Sequence, residues 1–313
     1  MNILITGGLG YVGGGLSKYL LNNRYQVIIG TSRKDLKIPN QLKKCSLVYN
    51  NFDSISNLAD ICNGVDCVIH LAALNSQKCQ NSPELAIKIN GIGTYNLIQA
   101  CIKKKVKYFL YFSTAHVYSS PLVGQLDEDT LPKPSSTYAI SHRLAEDFLL
   151  DSIYNQHING AIFRLSNSIG LPLIKEANDW TLFINDSCKK AVVEKVIVIN
   201  SNPNIQRDFI SIHNVFKISE YFLSAQPTPD YPIFNVGSGT SYSLLNIAVI
   251  IADRCEQLFS FRPNIIFSAN NHHENIELNY NVSKLTSQIG YRINNILNPL
   301  IDEILFFCKE EFC

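Results

Sequence analysis

Residues 2–15 read Asn2-Ile3-Leu4-Ile5-Thr6-Gly7-Gly8-Leu9-Gly10-Tyr11-Val12-Gly13-Gly14-Gly15, and an apolar-periodic stretch follows to about Asn22. Ile3 to Ile5 predict a short buried strand and Tyr11–Asn22 a helix, so the glycines fall on the turn between them. Glycine lets a backbone turn sharply and approach a ligand closely, while a helix start presents amides and partial positive charge. A glycine string alone is compatible with a structural turn. Its place between a first strand and a helix argues for a pyrophosphate-binding turn.

The same alternation continues outward from that turn. Gln26 to Ile29, Ser46 to Tyr49, Cys67 to His70, Tyr108 to Phe112 and Ala161 to Leu165 predict strands, with helices at about Ser54–Cys62, Pro83–Lys103 and Ser136–Tyr154. Strands apolar throughout and separated by helices predict an α/β fold, a doubly wound parallel sheet covered on both faces. After Asn167 the rhythm loosens, with Pro172, Pro203, Pro227, Pro229 and Pro232 marking turns. A dinucleotide-binding domain over 1–166 and a smaller, irregular α/β substrate lobe over 167–313 are expected, with Phe209–Ile212 and Ile233–Val236 as segments that can return to the main sheet.

Composition narrows the class of partner. The 313 residues are 46% hydrophobic and 17% charged, with a net charge of +1, which suits a large core and gives no field for nucleic acid or an anionic membrane. Nine cysteines, odd in number and without zinc-site spacing, read as free thiols of a reducing cytoplasm, with no metal. The apolar run at the N-terminus stops at Gly7, too short for a signal peptide, and no run is long enough to span a membrane. Lys103-Lys104-Lys105 read as the solvated end of a helix.

The glycine pattern Thr6-Gly7-x-x-Gly10-x-x-Gly13 resembles that of the extended short-chain dehydrogenase/reductase family. The resemblance recurs in order at His70-Leu71-Ala72-Ala73, Asn90, Ser113 to Tyr118, Tyr138, Arg164 to Asn167, Arg207 to Ile210 and Asn235 to Gly239. It covers nearly the whole chain, and its later blocks are similar to the sugar-nucleotide epimerase/dehydratase branch. A Rossmann-type sheet and a nicotinamide dinucleotide are what it implies, with the pyrophosphate at Gly7, Gly10, Tyr11, Val12 and Gly13.

A carboxylate closing the second strand would accept hydrogen bonds from the adenosine ribose and repel a 2′-phosphate. Thr31 stands there instead, followed by Ser32 and Arg33. NADP is therefore favoured over NAD, though Arg33 as a plain solvated loop residue leaves NAD open. By the resemblance, Asn51 and Phe52 lie at the adenine, where Asn51 can offer an amide oxygen. Leu71, Ala72 and Ala73, also simply a strand end, would wall the cofactor, and Asn90 belongs to the same set.

The resemblance places Thr114 and Tyr138 in the catalytic pair, a hydroxyl that binds the reacting oxygen and a phenol that exchanges its proton during hydride transfer. One helical turn on, the family's lysine is replaced by His142. That residue can donate to the nicotinamide ribose, but with a usual pKa near 6.5 it is largely neutral; the alternative is a packing residue and lost catalysis. Ala115-His116 occupy the place of the dehydratases' Asp-Glu, so loss of water is not expected. His116 reads either as an extra proton carrier or as a packing residue.

Asn167 and Arg207 match positions that meet the diphosphate of a nucleotide sugar, and His272 is the candidate for a further phosphate contact that the family usually gives to arginine. The expected activity is NAD(P)-dependent oxidation, reduction or epimerisation of a nucleotide-linked sugar, at C4, and the resemblance implies surface-polysaccharide assembly and a homodimer. The competing reading is a cofactor-sensing or scaffold protein that kept the fold without the lysine. The retained Thr114 and Tyr138 argue against it.

Overall fold

The computed structural model describes residues 1–33, 38–173, 180–267, 276–294 and 296–313. Seven strands form one sheet in the order Ile233–Val236, Asn159–Leu165, Tyr108–Thr114, Cys67–His70, Asn2–Thr6, Gln26–Thr31, Ser46–Tyr49. Thr6 lies opposite Gly30 on one side and His70 on the other, both pairings parallel. At the far edge the amides of Ile162 and Ser166 donate to the carbonyls of Pro232 and Val236, which runs that pair in the same direction. The chain lays strands to one side of Asn2–Thr6 and then to the other. That reversal is the switch point of a doubly wound sheet, where ligands meet the carboxyl ends of the strands.

The central strands are apolar because both faces are covered. Ile3, Leu4 and Ile5 are fully buried, as are Val68, Ile69, Phe109 and Leu110. Ser46–Tyr49, at the edge, leaves Leu47 and Tyr49 exposed. The helix Ile55–Ile61 starts on Ser54, whose hydroxyl accepts from the Asn57 amide, and Thr137–Tyr154 starts on Ser136, which accepts from Ala139 in the same way.

Two compact units divide the chain. The first comprises Met1–Ser120, Glu128–Leu165 and Phe216–Asn235, and the second Pro121–Asp127, Ser166–Val215 and Val236–Cys313. In the second, Gln206–Ser211 pairs with Asn167–Ile169 and Ser241–Ser243. Helices Phe183–Val193, Leu244–Phe259 and Leu297–Phe312 pack there around Ile184, Ile247, Ile251, Ile301 and Ile304.

Two expectations are revised. Phe209–Ile212 does not return to the main sheet: its strand belongs to the three-stranded sheet, Ile212 already starts the helix Ile212–Ala225, and Ile233–Val236 takes the free edge beside Asn159–Leu165. The stretch Pro83–Lys103 is helical throughout but widens by one residue per turn over Ile87–Ile92. A separate short helix, Ser76–Asn81, precedes it, capped by Asn75. No described helix is long and apolar enough to cross a membrane.

Candidate active site

The first strand ends at Thr6 and the chain turns at Gly7, whose φ of +71° is a left-handed conformation. A Cβ on Gly7 would stand 2.8 Å from the Ala72 nitrogen, and one on Gly13 would stand 2.2 Å from the Gly7 carbonyl oxygen. The turn is thus closed against itself and against Leu71 and Ala72 without room for a methyl group. Gly10 caps the helix Tyr11–Asn22; no side-chain oxygen caps it and no acidic residue sits in its first turn. Its dipole is left uncompensated by side chains at the end where Tyr11 and Val12 lie.

At the ends of the second and third strands, Thr31, Arg33, Leu47, Val48 and Tyr49 line an open cavity of about 400 Å³. The Thr31 hydroxyl accepts from the Arg33 amide at 3.2 Å, which turns the chain there, and both Ser32 and Arg33 are exposed. Asn51 is more constrained than its sequence suggests. Its amide oxygen accepts from the Asp53 amide at 3.1 Å, and its own amide donates to Asn57. The neighbouring Asn50, 1% exposed, carries a buried side-chain oxygen with no partner among the described residues. Asn50 is a polar group that sequence reasoning passed over, since nothing in an Asn-Asn pair tells which side chain turns inward. Phe52 packs edge-on against His70, with ring centroids 5.6 Å apart.

His70 closes the fourth strand. Thr94 Oγ1 donates to the Asn90 carbonyl at 2.6 Å, so it accepts from His70 Nε2 at 2.8 Å, and Thr6 Oγ1 then donates to Nδ1 at 2.6 Å. Both ring nitrogens are spent, and burial with the adjacent His142 holds His70 down to about 3. Asn90 accepts from the Leu74 amide at 2.8 Å and donates to Ser141 Oγ at 3.0 Å, while Ser141 Oγ donates to the Tyr138 carbonyl at 2.9 Å. Asn90 thereby ties the segment after Leu71, Ala72 and Ala73 to the helix of Tyr138.

Thr114, Tyr138 and His142 come together in the first unit. Thr114 ends the fifth strand, buried, and Tyr138 stands in the first turn of Thr137–Tyr154. Burial raises the Tyr138 phenol above its ordinary value of 10, and a hydrogen bond with Thr114 pulls only partly the other way. The His142 ring meets Tyr138 edge-on at 4.5 Å. Burial pushes its pKa down to about 4, so it is a neutral ring and brings no positive charge to the phenol. Its Nδ1 lies 2.8 Å from the Tyr111 hydroxyl, and its Nε2 is buried with no partner among the described residues. His116 follows in the turn Ala115–Val117, its amide donating to Thr114 Oγ1 at 3.2 Å.

Several motif residues prove to be scaffold. Glu146, fully buried, accepts from Ser113 Oγ at 2.6 Å and from Arg164 Nε and Nη2 at 3.1 and 2.8 Å. The Arg164 guanidinium lies 4.6 Å from the centre of the Tyr118 ring, and the Tyr118 hydroxyl donates to Asn235 at 2.7 Å. Ser113, on the strand that carries Thr114, is joined through Glu146 to Arg164, and Arg164 through the Tyr118 ring to Asn235.

In the second unit, Asn167 donates to the Asp208 carbonyl at 2.9 Å. Arg207 is half-buried, its guanidinium makes no hydrogen bond or ion pair among the described residues, and burial lowers its pKa from the usual arginine value. Asp208 accepts from Ser166 Oγ at 2.5 Å and from the amides of Ser238, Gly239 and Thr240. The blocks around Arg207 and Gly237 are thus one structural unit. His272 lies outside the described residues.

A parallel sheet with its switch point beside an uncapped glycine turn, and a Thr114–Tyr138 pair at the strand ends, define a dinucleotide-binding class of fold. Residues 3–237 match the model of the NAD dependent epimerase/dehydratase family, and the chain belongs to that family. It is 26% identical to the GDP-6-deoxy-D-talose 4-dehydrogenase of Aggregatibacter actinomycetemcomitans over 303 residues, 95% of this chain and 94% of that one. To the ADP-L-glycero-D-manno-heptose-6-epimerase of Brachyspira hyodysenteriae it is 24% identical, with 79% of each chain covered. The fold is that of the UDP-glucose 4-epimerase of Thermotoga maritima, solved with UDP-glucose, at a TM-score of 0.84, 19% identity and 99% coverage of both chains.

Proposed function

We propose that this chain oxidises, reduces or epimerises a nucleotide-linked sugar, at C4, with a nicotinamide dinucleotide bound along the carboxyl ends of the parallel strands. The observation that carries the reading is the meeting in one place of Thr114, Tyr138 and a buried His142 Nε2 that has no partner among the described residues. Gly7 and Gly13 let the turn close tightly on its own backbone, Gly10 leaves the helix start without a side chain, and Tyr11 and Val12 bring its amides to the place of a pyrophosphate. The bound nicotinamide would supply hydride exchange.

The chain's own part is proton handling and placement. Thr114 orients the sugar hydroxyl, and Tyr138 takes or returns its proton. His142 offers Nε2–H to a ribose hydroxyl as a neutral donor. For the sugar's diphosphate, Arg207 is a guanidinium without a described partner, and Asn167 lies on the adjacent strand. The family's name spans dehydratases as well; the reading against loss of water rests on Ala115-His116 alone.

Three finer points belong to the same proposal. Arg33 and Thr31, beside an open cavity whose described lining carries no carboxylate, favour NADP over NAD. A homodimer forms through the helices bearing Asn90–Lys103 and Tyr138–Tyr154, which expose Ile92, Tyr95, Ile140 and Tyr154. The location is the cytoplasm, and the pathway is polysaccharide assembly. The test is to denature the purified protein, identify the released nucleotides by mass, and then assay UDP- and GDP-hexoses for C4 inversion and for reduction of added NAD or NADP. Turnover lost in Tyr138→Phe supports the proposal. Dinucleotide binding with no turnover of any sugar nucleotide would favour the cofactor-sensing reading instead.

A further inference from the structure

We propose that Tyr111 is the positioning residue that fixes His142 as its Nε2–H tautomer and aims that hydrogen at the ribose of the dinucleotide. This rests on the functional reading above. Tyr111 stands in the middle of Tyr108–Thr114, 2% exposed, with its hydroxyl 2.8 Å from His142 Nδ1. No other polar atom among the described residues bonds that hydroxyl. The contact has two possible senses. If the phenol donates, Nδ1 is bare and the ring hydrogen sits on Nε2. If Nδ1–H donates, the phenol hydrogen is buried without an acceptor, which a protein interior penalises. The first sense leaves one buried group without a partner, the donor Nε2–H, whereas the second leaves two, the phenol hydrogen and the Nε2 lone pair.

The surroundings keep that arrangement from exchanging. The rings form a column: His70 stacks on Tyr111 at 5.7 Å, Tyr111 stacks on His142 at 6.0 Å, and Tyr138 closes on His142 edge-on at 4.5 Å. His70 cannot capture the Tyr111 hydroxyl, because Thr6 and Thr94 occupy both of its nitrogens. Burial raises the Tyr111 phenol well above its ordinary value of 10, so it keeps its hydrogen. A lysine at position 142 would carry donors in every direction and need no such partner. A histidine has one donor when neutral, and a second group must decide which nitrogen bears it.

The experiment uses the full chain, first without added nucleotide. Long-range nitrogen–proton correlation on histidine-labelled protein near pH 7.5, with His142 assigned by its loss in His142→Lys, reads the tautomer directly. The wild type is expected to carry Nε2–H, and Tyr111→Phe to give Nδ1–H or a mixture. Dinucleotide affinity, by titration of NADH or NADPH fluorescence, is expected to fall about tenfold in Tyr111→Phe, with a thermal melt reporting its folding. In a His142→Lys background the same substitution should cost less than about twofold, a difference that simple loss of packing would not produce. An Nδ1–H tautomer in the wild type, or a Tyr111→Phe protein with unchanged tautomer, overturns the proposal. So does an equal loss of affinity in both backgrounds. Failure of the wild type to bind any dinucleotide overturns the functional reading and the aim at ribose together, while the tautomer result judges Tyr111 separately.

Discussion

His142 sits at about 4 and Tyr138 lies above its ordinary range, and the two values belong together. A tyrosine raised by burial needs positive charge nearby to release its proton near neutrality, and the neutral imidazole at 4.5 Å offers none. His142→Lys places a cation there. Its effect on Tyr138 should be to move the rising, acidic limb of the rate profile for sugar oxidation, where the phenol loses its proton, toward lower pH by about one unit or more. A limb that moves to higher pH would mean that another group, with His116 the first suspect, carries the proton. Tyr138→Phe removes the proton carrier and leaves the Thr114 strand and the glycine turn in place. Turnover should fall by about 10²-fold or more while dinucleotide affinity stays within about threefold, as read by single-turnover rates beside equilibrium titration.

At the scale of elements, the glycine turn predicts a contrast between two neighbours. Ala at position 13 would put a methyl group 2.2 Å from the Gly7 carbonyl oxygen, whereas at position 10 the nearest atom is 3.3 Å away. Gly13→Ala should therefore destabilise the fold by about 1–3 kcal/mol and weaken dinucleotide binding, and Gly10→Ala should cost less than about 1 kcal/mol, both measured by urea unfolding. Beneath the same strand ends, Glu146→Gln leaves Arg164 buried without its counter-charge and should cost about 3–5 kcal/mol in the same assay. The turn and the helices Tyr11–Asn22, Ile55–Ile61 and Thr137–Tyr154 were legible because a strand, glycines and a periodic helix are local patterns, whereas Phe183–Val193, Ile212–Ala225 and Leu297–Phe312 were not predicted. Ser76–Asn81 was not, being a polar segment with one buried residue, Cys79. Nor was the widened turn at Ile87–Ile92, which is bound to tertiary packing: Cβ atoms on Gly91 and Gly93 would strike Leu144 and Phe52. Thr114 and Tyr138 were named through the family resemblance, and the structure brings the strand end and the helix start that carry them together. Asn50, Tyr111 and the scaffold role of Arg164 depend on which way a side chain turns, which no spacing records.

For the whole molecule, two histidines buried as neutral rings make stability depend on acid. His70 is held to about 3 and His142 to about 4, against 6.5 for an unfolded chain. Below about pH 6.5 the unfolded state takes up protons that the folded state refuses, so acidification favours unfolding. Each ring contributes a slope of up to about 1.4 kcal/mol per pH unit, until the pH falls through its own folded value. Asp208 acts in the opposite sense and lower on the scale, since burial raises its carboxyl above the usual 3.8 and the folded state then binds the extra proton first. Comparing variants separates these contributions. Urea unfolding of the wild type and of His142→Gln between pH 7.5 and 4.5 should give curves that run together above about pH 7 and diverge below about pH 6. The variant should lose stability less steeply, by roughly 1 kcal/mol per pH unit. Curves that stay parallel throughout would mean that His142 accepts a proton in the folded protein. The ring would then be a cation beside Tyr138, in place of the neutral donor that its burial and its contact with Tyr111 describe.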